Sequence, residues 1–410
     1  MKEMDLIAPG AGRIRLEEVL SRIAAARPLA PFGEELLELF IGLSAALFHD
    51  TEARKYPELQ ALAFWMRKAE LLRLREAFAG LGSEETVLSP RGRIFHIPPA
   101  NVDTIFVYSW VLSALCGNVS VIRLSERAAL PVEILCRLIG AAVGASPALR
   151  DSITIVRYGH DDEVTAALSL LADTRVIWGG DSTVNLIRRL PLLPHATELT
   201  FPDRTSLSVL NVGAYLALDD EGAQQLAAKF YNDAYWFDQT ACSSPRLIVW
   251  CGADDGAASV RFAHYLAEQV RTHRYNPPDA VRLARLTSAC RAILEAPVED
   301  CCLRPEFAML RVTAPALLPP VHCGGGFFFQ TRIGELNQLA GFLTRRDQTL
   351  SHFGFAVDEL RALAAVLRGA AVDRMVPIGK ALDFHRYWDG YDLLREFTRT
   401  VHVRTASNLG

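Results

Sequence analysis

Residues 92–127, GRIFHIPPANVDTIFVYSWVLSALCGNVSVIRLSER, read as a strand, a turn carrying two prolines, an apolar helix and a second strand. RIFHI has the β-branched and aromatic content of a buried strand, and Pro98 and Pro99 end it. A helix is expected from about Val102 to Cys116; its apolar stretch, Ile105 to Cys116, is interrupted by Tyr108, Ser109 and Ser113, reads as a buried core helix and falls short of the roughly 20 residues that a membrane span needs. VSVIRL then returns as a strand. Beyond it come a helix from Pro131, the strand ITIVRY, a helix from Glu163, the strand RVIW, a helix from Ser182 and the strand LSVLNV. This alternation predicts a parallel sheet with helices on both faces, the α/β class.

Working outward, the first ninety residues are helical in pattern: Leu36, Leu39, Phe40, Leu43 and Leu47 recur at helical spacing, as do Leu59, Leu62, Met66, Ala69 and Leu72. On the other side, a helix over 221–236 leads through FDQTACSSPR into the strand LIVWC. Helices over 257–272 and 279–295, strands near 308–314 and 326–333, a helix from Glu335, a strand at 352–357, a helix from Asp358 and a strand at 374–378 complete a second α/β unit. The tail has its own helix and a closing strand. The expected division is 1–204 with 381–410 as one unit, including the helical N-terminal region and the C-terminal segment, and 205–380 as the other.

A chain of 410 residues, half of them hydrophobic and 22% charged, has the composition of a folded protein of two or three domains. Its net charge of -4 excludes a general electrostatic attraction to nucleic acid. The eight cysteines include no CxxC and no zinc-type spacing, so no metal site is expected. The N-terminus MKEMDLIAPGAGRIRLEE lacks an apolar signal core, and the expected compartment is the cytoplasm.

Cys242 stands apart from the other thiols because its segment is polar and turn-rich, between a helix and an apolar strand. It reads either as a nucleophile that forms a thioester with a carbonyl substrate or as a packed loop thiol. Asn101, just before a helix, reads either as an N-cap or as an amide donor to a developing oxyanion. Arg123, Ser125 and Glu126 close a strand, where open α/β sheets bind ligands; solvated charge is the alternative. In VIWGGDSTVNLIRR, Gly179, Gly180, Ser182 and Thr183 stand at a strand-to-helix turn whose backbone N–H groups can hold a phosphate or form an ordinary turn.

Taken in chain order, Asn101, Arg123-Leu-Ser-Glu126, Gly179-Gly-Asp-Ser182, Glu198-Leu-Thr-Phe201 and Asp238-Gln-Thr-Ala-Cys242 resemble the motif series of the aldehyde dehydrogenase superfamily. HIPPAN, WGGDSTVNLIR, DQTACSSPR and RMVPIGKALDFHRYWDGYDLL are most similar to the LuxC-type fatty acyl-CoA reductases. The resemblance runs from about residue 85 to the C-terminus. It implies an aldehyde-dehydrogenase-like fold, in which 1–204 with 381–410 form a Rossmann-type cofactor domain whose C-terminal segment is a small oligomerisation element, and 205–380 form an α/β catalytic domain. It further implies NADPH-dependent reduction of an acyl-CoA or acyl-carrier-protein thioester to the aldehyde, an acyl-transferring partner protein, and a homodimer or larger assembly.

Three departures qualify what is carried over. Arg123 replaces the lysine of the ribose segment; with Arg127 it favours a 2'-phosphate, while Glu126 argues the other way, so NADPH follows from the resemblance. Glu198 lacks the glycine pair of the hydrolytic members, which use that glutamate to activate water, and is either catalytic or structural. The Glu-x-Phe-Gly-Pro ribose clamp is not recognisable around GGGFFFQ (324–330). His96, His322 and His352 are the candidate bases for Cys242. Alternative functions are aldehyde oxidation to the acid with Glu198 as base, and non-redox acyl transfer through Cys242.

Overall fold

The computed structural model describes residues 2–99, 104–126, 129–144, 146–253, 256–313, 315, 318 and 322–404. The chain divides into two compact units, Met1–Pro202 with Phe384–Gly410, and Asp203–Asp383.

The first unit begins with β1 (Glu3–Ala8) and β2 (Gly12–Arg15) and continues through β3 (Thr86–Pro90), β4 (Arg93–Ile97), β5 (Val119–Leu124), β6 (Ile153–Arg157), β7 (Thr174–Trp178) and β8 (Thr197–Phe201). Its seven-stranded sheet runs β2-β1-β6-β5-β4-β7-β8. Strands β4 to β8 are mutually parallel, so in chain order they lie third, second, first, fourth, fifth. The direction of winding therefore reverses between β4 and β7, the arrangement that opens a crevice at the carboxyl ends of those strands.

The stretch that decides this fold is held by its own turn. Helix Ile105–Leu115 is buried on every face, and after it the chain needs glycine at 117, where φ is +85 and an added Cβ would lie 2.2 Å from the Leu29 carbonyl oxygen. Asn118 then joins three segments: its Oδ1 accepts from Gly92 N–H at 2.9 Å, and its Nδ2 donates to the Ser113 and Phe397 carbonyls at 2.9 and 2.8 Å.

In the second unit β9 (Thr205–Asn211), β10 (Pro245–Cys251), β11 (Val298–Leu303), β12 (Ala308–Val312), β13 (Phe327–Ile333), β14 (Asp347–Phe353) and β15 (Arg374–Pro377) form a sheet ordered β11-β12-β13-β10-β9-β14-β15. Its pairs are parallel except β11 with β12. The tail returns to the first unit as β16 (Tyr387–Trp388), β17 (Tyr391–Asp392) and β18 (Thr398–His402), the last pairing antiparallel with β3.

Two departures from the sequence pattern are instructive. The first ninety residues are not all helical: β1 pairs antiparallel with β6 and extends the sheet, burying Met4 and Ala8. β1 lies between β2 and β6, and its Met4, Leu6 and Ala8 alternate with Glu3, Asp5 and Ile7, a period of two that only six residues carry. The strand expected at 352–357 is instead Asp347–Phe353. Its Gln348, Thr349 and Ser351 are buried but polar, because Thr349 N–H bonds Ser206 Oγ at 3.2 Å and Ser351 shares a hydrogen bond with Ser208 on β9. Gly354, at φ +82, follows its last residue.

Candidate active site

Cys242 lies in the loop between helix Asp220–Tyr235 and β10, partly exposed. Two consecutive residues before it, Asp238 and Gln239, have left-handed backbone, φ 49 and 61. For residues with a Cβ this costs on the order of 1 kcal/mol or more each and persists only where surrounding contacts impose it. Those contacts are present. Gln239 is buried, and its amide makes four hydrogen bonds: Nε2 donates to the Pro245 and Phe327 carbonyls at 2.9 and 2.8 Å, while Oε1 accepts from Gly326 and Phe327 N–H at 3.0 and 2.9 Å. Tyr275 donates to Asp238 Oδ1 at 2.7 Å, and Gly325 N–H to the Asp238 carbonyl at 2.8 Å. Ser206 Oγ, on β9, donates to the Cys242 carbonyl at 2.7 Å. The thiol therefore stands on a fixed backbone at the amino edge of the second sheet.

The partner of this loop is the glycine run before β13. Gly324, Gly325 and Gly326 have φ of +69, +66 and +80, and a Cβ on Gly324 would come within 2.4 Å of the Asp238 carbonyl oxygen. Arg285, buried, donates to the carbonyls of Pro305, Glu306 and Gly325 and fixes the run from its other side. Neither Gln239 nor these glycines were singled out from sequence as parts of the site. The available signal was three successive glycines against FFF, a pattern that places close backbone approach ahead of a buried strand.

The candidate histidines occupy different environments. His322 accepts from Gly324 N–H at Nδ1 (3.0 Å) and meets the Phe327 carbonyl at Nε2 (2.6 Å). It is therefore the neutral Nε2–H tautomer, and burial, aided by the Arg246 charge, pulls its pKa down to about 3. His96 is buried on β4 against Ser109 (2.9 Å), with a pKa lowered by burial to about 3. His352 pairs with Val209, three residues beyond the Thr349–Ser206 pair. It lies about 10 Å along the strand from the edge that bears Cys242. A further residue, Arg246, second in β10, interacts electrostatically with the thiols of Cys242 and Cys323 and with Asp203.

In the first unit Ser125 and Glu126 follow β5, and Gly179 and Gly180 follow β7, so they share the carboxyl edge on either side of β4. Arg123 donates to the Tyr158 and Gly159 carbonyls at 3.3 and 3.0 Å, and the Glu126 carboxylate lies against Gly159. Gly180 is the N-cap of helix Asp181–Ile187, which carries Ser182 and Thr183, both exposed. Thr183 packs on Gly179, where a Cβ would meet it at 3.1 Å. Asn101 and Arg127 lie outside the described residues. Glu198 is the second residue of β8 and faces Arg175 across the register. Its Oε2 accepts from Arg175 Nε at 2.8 Å and also from Arg175 Nη2, and its Oε1 accepts from Arg188 Nε at 2.8 Å. Both carboxylate oxygens are thus engaged by guanidinium groups. Among the described residues no cluster of His, Cys, Asp and Glu is placed to hold a metal, and no helix is long and apolar enough to cross a membrane.

The profile of the acyl-CoA reductase (LuxC) family matches residues 68–291 of this sequence. No curated protein matches it. Among solved structures, betaine aldehyde dehydrogenase from Staphylococcus aureus is similar with a TM-score of 0.67 and 15% identity, covering 100% of this chain and 93% of that one. Aldehyde dehydrogenase 21 from Physcomitrella patens, in complex with the product succinate, gives 0.68 and 10%, covering 100% and 96%. Glyceraldehyde-3-phosphate dehydrogenase from Methanocaldococcus jannaschii, complexed with NADP, gives 0.64 and 12%, covering 95% and 94%. The fold is that of the aldehyde dehydrogenases.

Proposed function

This chain belongs to the LuxC acyl-CoA reductase family and is an aldehyde-related oxidoreductase, and we propose that it reduces an acyl thioester to the aldehyde through an acyl-enzyme on Cys242, using NADPH. The observation that carries the reading is the conformation of the Cys242 loop: two left-handed residues held by a fully bonded buried amide, with the thiol left partly exposed. A packed thiol has no need of such a support.

The Cys242 thiolate attacks the thioester carbonyl carbon, forming a C–S bond and moving the π electrons onto oxygen. Cys242 N–H and the Asn101 amide donate to that oxyanion, each worth roughly 3 kcal/mol by comparison with known oxyanion holes. Collapse breaks the bond to the carrier thiol, which leaves as thiolate and takes a proton from water. The acyl group then remains on Cys242. The first unit suits a dinucleotide because its winding reverses at β4 and β7. Arg123, Ser125, Glu126, Gly179, Gly180, Ser182 and Thr183 are the residues proposed to hold it, Arg123 supplying the charge for a 2'-phosphate. A nicotinamide bound there supplies the hydride.

Glu198 is assigned to joining β7 and β8, since Arg175 and Arg188 occupy both its oxygens. This argues against aldehyde oxidation with Glu198 as the water-activating base. The proposed substrate is a fatty acyl-CoA or a carrier-protein-bound acyl group. The test is Cys242→Ala assayed for thioester-dependent NADPH oxidation: activity should vanish while NADPH still binds, and retained activity would overturn the proposal. Failure of the wild-type protein to bind any nicotinamide would favour acyl transfer instead.

A further inference from the structure

A nucleophilic thiol needs a group that removes its proton or stabilises its anion. The three histidines offer no free base at Cys242: His322 has both ring nitrogens engaged, His352 lies toward the opposite edge of the sheet, and His96 is enclosed in the core of the first unit. Strand β10, by contrast, starts three residues after Cys242, and its second residue is an arginine. The loop between them cannot drift, because Gln239 bonds the Pro245 carbonyl and Ser206 bonds that of Cys242. Arg246 Nε–H is buried with no acceptor among the described residues.

We propose that the Arg246 guanidinium holds Cys242 as its thiolate, acting as a positioning residue for the nucleophile. The inference rests on the reading of Cys242 as the nucleophile. The thiol proton leaves to solvent, to which Cys242 is partly open, so arginine need accept nothing. Among the described residues, the other charged or titratable groups near the thiol do not replace it. Asp203 has a carboxyl group, which cannot stabilise an anion, and Asp238 is bonded to Tyr275. The Cys323 thiol is pushed up by burial and keeps its proton. His322 is neutral, and Arg285 is committed to three backbone carbonyls.

The experiment is the pH dependence of iodoacetamide alkylation in the full-length protein, with the labelled cysteine mapped by mass spectrometry. Wild type should alkylate Cys242 with an inflection below the ordinary thiol value of about 8.5. Arg246→Gln should move that inflection up by about one unit or more and lower kcat near neutrality roughly tenfold. Arg246→Lys should restore most of both. At high pH, where every thiol is ionised, the Gln variant should alkylate at the wild-type rate, which also reports that its loop is intact. An unchanged inflection in Arg246→Gln, with Cys242 still the labelled residue, would overturn the inference while leaving the acyl-enzyme proposal untouched. Cys242→Ala with undiminished reductase activity would overturn the acyl-enzyme proposal, while the comparison of Cys242 alkylation between wild type and Arg246→Gln would still decide the part played by Arg246.

Discussion

The two sheets of this protein put their candidate functional residues on opposite edges and hold them differently. In the first unit the residues proposed for the cofactor stand at the carboxyl edge, and Glu126, Ser182 and Thr183 are exposed. In the second, the thiol stands at the amino edge on a loop bonded from β9, β13 and helix Ala257–Thr272's trailing turn. The difference teaches what each site demands. A dissociable ligand can be met by side chains that adjust, whereas a covalent intermediate needs its nucleophile fixed before the substrate arrives. Gln239→Ala is the strongest way to break this contrast. It strands two carbonyls and two N–H groups in a buried site, so stability should fall by about 3 kcal/mol or more and turnover at least a hundredfold. Denaturant melts with assays at matched folded fraction check it; near-normal turnover in the folded fraction would mean that the loop holds its shape unaided.

Glu198 provides the complementary case, since it too stands near an amino edge but is proposed to be structural. Removing it leaves Arg175, 1% exposed, without its carboxylate. Glu198→Ala should therefore cost about 3 kcal/mol, yet the folded variant should keep its thioester-reductase activity. Loss of turnover at unchanged stability would return Glu198 to the catalytic group. Asp233 gives a smaller effect, with a sign. Burial raises its pKa to about 7, against the lowering effect of bonds from Gly379 and Ala381 N–H. Between its ordinary value of 3.8 and that raised one, the folded chain keeps a proton that the unfolded chain has lost. Stability due to this group is therefore greatest at the acid end and falls as pH rises, by at most about 2 kcal/mol between about pH 5 and 6.5. Asp233→Asn should flatten that slope in denaturant midpoints measured across the window.

Much of this was legible in the sequence, for physical reasons that differ by element. The strands RIFHI and VSVIRL and the run from Ile105 to Cys116 between them are dominated by apolar residues, so buried parallel strands and a core helix were the ready reading, and the loop of Cys242 stood out by its polarity between apolar neighbours. What the pattern concealed was burial of polar groups. Gln348, Thr349 and Ser351 look like a loop until their partners on β9 are known, which displaced the expected strand by several residues. Gln239 is indistinguishable from a surface glutamine until Pro245, Gly326 and Phe327 surround it. Arg246 sat within the quoted motif DQTACSSPR without a role, because a strand's second residue gives no hint of which thiols it faces. Contacts between residues some ninety positions apart have no one-dimensional signature.

The smallest expected effect tests the finest part of the contrast. Tyr275 donates from an aromatic ring partly buried beside Tyr235 to the carboxylate of left-handed Asp238. Burial first, and this bond second, raise its pKa far above the phenol's ordinary range, so the proton remains available for donation throughout neutral pH. Tyr275→Phe removes one charge-assisted hydrogen bond and little packing, so stability should fall by about 1 kcal/mol. If the bond helps impose the conformation of Asp238, kcat should fall severalfold with KM nearly unchanged, because the thiol's placement changes and the substrate's own contacts do not. A stability loss with kcat intact would assign the loop's geometry to Gln239 and the glycine run alone, leaving Tyr275 as packing around a loop already fixed.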